Sequence, residues 1–492
     1  MKPTQELYDL IKSLTGSEKR YFKLNASKQK GNKNYLKLFD AIDSQKHFDE
    51  NEMKRRFKNE KFILNLTVTK NYLYSLIIKN LVSFNDKKSV DIKLANILFM
   101  CKLIFDKALY KQFFKASANG KELAIRSERF SYVLEFIEFE KNIMKKEEIG
   151  KKDMNKVYDE EIRVMEIIKN INTYKRAVSN LFRISRTVGR VRDKITGKLI
   201  DEIVCSKDFN TEPLSLRAGE SLLLAKYLES RLKGNYREAV DYCKQRFELI
   251  SEHPEVFKDF LLEPGLDSLE FLISSYLSLN NFGEAKKTFK TMKKAYLSQQ
   301  NDFINFVLTE HDIRLSEAIE NRDLKASVNL IREIENFLKE NKGKIFINTE
   351  NYFYFSISKY YFVSGNYEEA LRTINDHLSS KYSKLTPEFE SYQRILNIMI
   401  HYELGNYDLL KYLIPSAKKF LKGKKKLFRF ESAVLKYIRK IINAKEKKHI
   451  SELLMQFHIE AAELKKDEYE RNAFEYFDLT DWIESKIKNI NK

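Results

Sequence analysis

A short turn pattern returns along this chain and limits what it can fold into. Gly234-Asn235-Tyr236-Arg237-Glu238-Ala239, Asn280-Asn281-Phe282-Gly283-Glu284-Ala285, Gly365-Asn366-Tyr367-Glu368-Glu369-Ala370 and Gly405-Asn406-Tyr407-Asp408-Leu409-Leu410 read alike. Each lies between two apolar-periodic stretches, as the connection of a helical hairpin would. A Gly or Asn in the left-handed region closes the first helix. The Asn side chain is expected to accept from the free amides that open the second. The aromatic folds back over the turn, Glu near the new N-terminus suits the helix dipole, and the small Ala lets the two helices approach. Weaker turns near Lys107, Lys151, Asp193, Arg322 and Lys448 fall in phase with these, at spacings of 40–46 residues. A fixed spacing of that size is the mark of an array of supersecondary units.

Composition agrees. With 14 Gly and 6 Pro in 492 residues there is little turn chemistry for a sheet-rich fold, and long helices joined by short loops fit better. A hydrophobic fraction of 43% and an aromatic fraction of 13% are enough for a core despite 32% charged residues. The expected fold is all-α: an α-solenoid of helical hairpins with a period of about 42 residues, preceded by an N-terminal helical bundle. Ala370, Leu371, Ile374 and Leu378 share one face of a helix. Over Tyr352–Phe362, Tyr352, Phe353, Phe355, Tyr360, Tyr361 and Phe362 cover most of the circumference, the pattern of a helix packed between neighbours rather than of an open groove.

The Gly-x-aromatic-x-x-Ala turn resembles the one that joins the two helices of a tetratricopeptide repeat. The resemblance covers about residues 216–460 and is strongest at 360–371. The repeat here is longer than in that family, which has units of about 34 residues, and the aromatic-Leu-Gly element is partial, as in Tyr402-Glu403-Leu404-Gly405. The resemblance implies a concave groove that binds proteins or peptides.

Residues 1–88 lack the hairpin turn and are expected to form a separate basic bundle, followed by divergent hairpins at 89–215 and the array proper, with a C-terminal helix, at 216–492. Helices are expected at Gln5–Leu14, Ser17–Leu24, Asn34–Asp43, Asp49–Phe57 and Thr67–Phe84, with Asp49 or Thr67 as N-caps. The opening Ser13-Leu14-Thr15-Gly16-Ser17-Glu18-Lys19-Arg20-Tyr21-Phe22, with Tyr35-Leu36-Lys37-Leu38-Phe39, resembles a group of bacterial helical-repeat proteins to which no activity attaches. Two roles stand open for this segment. It is a cap over the end of the array, or a helix-turn-helix with Glu52–Phe57 first and Val68–Leu76 as the recognition helix.

Charge is uneven. The chain carries 89 Lys plus Arg against 70 Asp plus Glu, a net +19. The excess gathers in three windows, residues 12–37, 171–198 and 418–429. Arg183, Arg186 and Arg190 have the spacing of one helical face, with Arg192 just beyond, and are candidates for phosphate or carboxylate binding. Lys19, Arg20 and Lys23, and the loop lysines Lys424, Lys425 and Lys426, are further candidates for an anion, a nucleic acid or an acidic partner.

Catalytic and metal chemistry has no foothold in the pattern. No phosphate-binding glycine loop has the required spacing, and the histidines His47, His253, His311, His377, His401, His449 and His458 are scattered. Cys101, Cys205 and Cys243 form no Cys-x-x-Cys pair and suit a reducing compartment. No catalytic residue, cofactor or metal is expected, nor any membrane span, and the expected location is cytoplasmic. The sequence reads as a protein-binding scaffold or adaptor, with a nucleic-acid-associated regulator as the alternative.

Overall fold

A computed structural model describes residues 5–28, 33–85, 89–144, 154–257, 264–299, 303–322, 327–378 and 387–490. The protein is all-α, and no strand occurs among the described residues. It divides into two compact units, Met1–Val164 and Met165–Lys492.

The first unit opens with α1 (Gln5–Ser13), α2 (Gly16–Lys28), α3 (Asn34–Ser44), α4 (Glu50–Arg56) and, after a 3-10 turn at Lys61–Asn65, α5 (Leu66–Asn85). Leu7, Ile11, Phe22, Leu38, Phe39, Met53, Leu73 and Ile77 form their core. The Thr15–Glu18 motif is a capping box: the Thr15 amide donates to Glu18 Oε2 at 2.8 Å and the Glu18 amide to Thr15 Oγ1 at 3.3 Å. Asp49 caps α4, accepting from the amides of Asn51 and Glu52. Thr67, the other cap expected, lies inside α5, because the 3-10 turn already supplies the geometry that starts the helix. The hairpin helices α6 (Val90–Asp106), α7 (Tyr110–Arg126) and α8 (Phe130–Met144) follow, and α9 (Met154–Thr187) contains the division between the units.

The second unit continues through α10 (Lys194–Val204) into the repeats. These are α11 (Leu216–Leu232) with α12 (Tyr236–Glu252), the short α13 (Pro254–Phe257), α14 (Pro264–Ser278) with α15 (Phe282–Gln299), and α16 (Phe303–Asn321) with α17 (Ser327–Glu340). Next come α18 (Ile347–Val363) with α19 (Tyr367–Leu378), α20 (Pro387–Glu403) with α21 (Tyr407–Gly423), and α22 (Arg429–Asn443) with α23 (Lys447–Lys466). A 3-10 turn at Glu470–Ala473 leads to α24 (Leu479–Ile490). Helices pack chiefly on their neighbours in sequence, as in a repeat array.

The hairpin turns follow one geometry. Gly234, Asn280, Gly365 and Gly405 have φ between 53° and 77°. In each turn the next Asn amide donates to the carbonyl five residues back, as Asn235 does to Ser230 at 2.8 Å and Asn366 to Tyr361 at 2.9 Å. This bond closes a Schellman motif. The expected side-chain cap forms at Asn281, whose Oδ1 accepts from the Glu284 amide at 3.2 Å. At Asn235 and Asn406 it does not form. Their main-chain N–H already does the closing, and the side chains turn elsewhere, Asn235 to Arg471 and Asn406 to His401. Tyr367 and Tyr407 fold back onto Phe362 and Tyr402, with ring centroids 5.5 and 6.0 Å apart. Ala239, Ala285 and Ala370 are fully buried where paired helices meet.

Of the weaker turns, Ala108 and Arg322 are left-handed, Asp193 caps α10, and Lys448 lies in the first turn of α23. Lys151 lies outside the described residues. Phe353, Phe355, Tyr360 and Phe362 of α18 are core side chains, so that aromatic-rich helix is packing rather than a groove lining.

Candidate functional site

The densest polar constellation in the second unit forms around residues 188–193, between α9 and α10. Gly189 ends α9 with φ +81°, and a Cβ there would overlap the Glu388 carboxylate. The chain then runs without helix to Asp193, whose Oδ1 accepts from the Thr196 amide at 2.7 Å and starts α10.

Main-chain groups of this stretch are met by distant parts of the array. The Arg190 amide donates to Glu388 Oε1 of α20 at 2.9 Å. The Val191 amide donates to the Leu232 carbonyl at the end of α11 at 3.0 Å. The Val191 carbonyl accepts from Asn472 Nδ2 at 2.7 Å, and the Val188 carbonyl from Lys426 Nζ at 2.7 Å. Asn472 reaches Val191 only because it passes against Gly234, where any Cβ would collide with its amide oxygen.

The two arginine side chains go to carboxylates. Arg192, 4% exposed, forms a fork onto Glu431, with Nη1–Oε1 at 3.1 Å and Nη2–Oε2 at 3.2 Å. It also donates to Glu470 Oε2 at 2.8 Å and to the Tyr392 hydroxyl at 2.7 Å, and lies 4.9 Å from the Phe428 ring centroid. Arg190 pairs with Glu475 at 3.2 Å and lies over Tyr236, whose hydroxyl also donates to Glu475. Glu470 has a second task. It accepts from the amides of Arg429 and Phe430, satisfying free donors at the start of α22. Arg471 ties the same C-terminal stretch to the α11–α12 turn through the Lys233 carbonyl and Asn235 Oδ1.

Burial sets the protonation of this cluster. It pushes the Glu388 carboxyl up to about 7, against the pull of the Arg190 amide and of the Arg190, Lys426 and Arg192 charges. Burial also raises Glu431 despite Arg192, and lowers Lys426 despite Glu388.

These contacts redistribute the candidate residues. Arg183, Arg186 and Arg190 do not form one face, because α9 stops at Thr187 and Gly189 turns Arg190 inward; Arg183 and Arg186 remain exposed on the helix. Arg192 and Lys426 are buried and engaged as described. Lys424 and Lys425 stay exposed in the turn after α21. In the first unit Lys19 pairs with Asp43 and Lys23 with Asp40, each at 2.7 Å, while Arg20 is exposed. The proposed recognition helix lies within α5, where Val68 and Tyr72 face outward without a basic residue between them except the buried, Glu50-paired Lys70.

Glu388, Glu431, Glu470, Asn472 and Glu475 were not singled out by sequence reasoning. Their partners lie as far as 285 residues away, beyond the reach of any spacing argument. The concentrated positive charge of the arginine window is the one hint that acidic partners were needed. Among the described residues no group of His, Cys, Asp and Glu is placed to hold a metal ion, and no helix is long and apolar enough to cross a membrane. No known family matches the chain, and no curated protein matches it.

Proposed function

We propose that this protein is a non-catalytic scaffold whose helical hairpins hold a protein or peptide partner. One observation carries the reading: the repeat array accommodates a non-helical stretch of polypeptide, residues 188–193, through hydrogen bonds to its main chain and ion pairs to its side chains. Main-chain hydrogen bonds for affinity and side-chain contacts for identity are how proteins recognise peptides. Most polar groups of the cluster satisfy one another, the Nε atoms of Arg192 and Arg471 excepted, and they leave no nucleophile beside a free base, which favours binding over turnover. A cytoplasmic scaffold is the form of the proposal that agrees with the buried free thiols Cys101 and Cys243.

Nucleic-acid binding is the alternative, and of the candidate residues Arg20, Arg183, Arg186, Lys424 and Lys425 are exposed and open to it. Arg190, Arg192 and Lys426 are engaged internally. Affinity capture of the full chain from its native cells, with and without nuclease, separates the two. Protein partners that survive nuclease are the expected result. Loss of every partner on nuclease treatment would overturn the scaffold reading.

A further inference from the structure

We propose that the seat of residues 188–193 is a binding site for an Arg-X-Arg peptide, filled in cis by this chain's own Arg190-Val191-Arg192 and available to a partner when that stretch lifts out. The inference rests on the scaffold reading and names its ligand class.

The seat has the parts such a ligand requires. Arg190, where the chain bends, and Arg192 both reach carboxylates, Glu475 for the first and Glu431 with Glu470 for the second. Val191 between them is buried and is gripped by its main chain, through Leu232 and Asn472. Those two bonds are to the main chain, and the burial of Val191 suits a small apolar side chain at the central position. Without the stretch, Glu388, Glu431, Glu470 and Glu475 would lose two guanidiniums and keep Lys426 near Glu388 and Lys359 near Glu475, so the vacated seat favours a cationic guest. The fork from Arg192 onto Glu431 and the ring of Phe428 beneath it suit a planar guanidinium better than a compact ammonium.

The cis segment competes with any partner. A tethered ligand acts at an effective concentration of about millimolar, so a free peptide meets a seat open only for a small fraction of the time. Its apparent affinity falls by that fraction.

The test uses the full chain and a fluorescent peptide of this chain's residues 187–193, Thr-Val-Gly-Arg-Val-Arg-Asp, with a control in which both arginines are lysine. The variant Arg190→Ser/Arg192→Ser loses the cis anchors. It should bind the arginine peptide at least about tenfold tighter than the wild type does. It should also prefer that peptide to the lysine control by at least about tenfold. A folded variant that binds neither peptide, or binds both equally, overturns the proposal. Should the variant lose its helical signal, wild-type hydrogen exchange at the Arg190 and Val191 amides decides. Excess arginine peptide should speed exchange there more than the lysine control, and equal rates overturn the proposal. If these tests fail while nuclease-resistant partners are still captured, the scaffold reading stands and only the ligand class falls.

Discussion

Glu388 shows how one buried side chain couples the fold to pH. Its carboxyl titrates at about 7 in the folded protein, against 4.5 for the ordinary value. Between those pH values the folded state holds a proton that the unfolded chain has released. Stability from this group is therefore present below pH 4.5 and falls as pH rises toward 7, by on the order of 3 kcal/mol. Glu388→Gln keeps an acceptor for the Arg190 amide and removes the titration. Urea midpoints at pH 5, 6, 7 and 8 should fall less steeply for the variant than for the wild type. Parallel curves would assign the slope to other groups. At the same scale, burial pushes the thiols of Cys101 and Cys243 up to about 11 and 12, whereas Cys205 is exposed. A thiol reagent should modify Cys205 quickly in the native protein and the other two only in denaturant. Rapid reaction at more than one cysteine would contradict the burial described.

Turns and helix contacts are the features of the elements that were most legible in the sequence. Gly365 and Gly405 announced left-handed turns because glycine enters that region freely, and Ala239, Ala285 and Ala370 marked close helix approaches. Glu128 and Lys425 adopt the same turn conformation, with φ of 51° and 55°, and nothing in those residue types signals it. The same closing bond forms at both, from the Arg129 amide to Ala124 and from the Lys426 amide to Leu421, against the local preference. Ala108, with φ 58°, offers a direct comparison with Gly365, whose Cβ would meet nothing within 4 Å. Ala108→Gly should be neutral or stabilising by up to about 1 kcal/mol, while Gly365→Ala should cost about 1–2 kcal/mol. Ala370→Trp should cost more, about 2–4 kcal/mol, by overpacking the α18–α19 contact. Urea unfolding measures all three, and an unchanged midpoint for Ala370→Trp would mean that the hairpin helices do not meet at that position.

For the molecule as a whole, the repeat period was readable because each unit must bury its face on the next, which imposes a regular spacing on the sequence. The polar cluster was not, because what joins Arg192 to Glu431 is the course of the array and not any local rule. Sequence reasoning took Arg190 and Arg192 as candidates for phosphate or carboxylate binding, with Arg190 on one helical face with Arg183 and Arg186. The structure turns both inward, onto carboxylates that no charge window contained. Non-specific nucleic-acid binding should accordingly be weak, and Arg183→Gln/Arg186→Gln should flatten its log–log salt slope by no more than about two. Tight binding unaffected by that change would return attention to Arg20, Lys424 and Lys425.

The fork between Arg192 and Glu431 spans 239 residues, so its strength reports directly on whether the array holds residues 188–193 as described. A double-mutant cycle with Arg192→Gln, Glu431→Gln and their combination, read by urea unfolding, isolates that term from the separate cost of each change. The arrangement described here predicts a coupling energy of about 1.5–3 kcal/mol. Additive effects, within about 0.5 kcal/mol, would show that Arg192 and Glu431 do not meet in solution and would contradict the account at its centre.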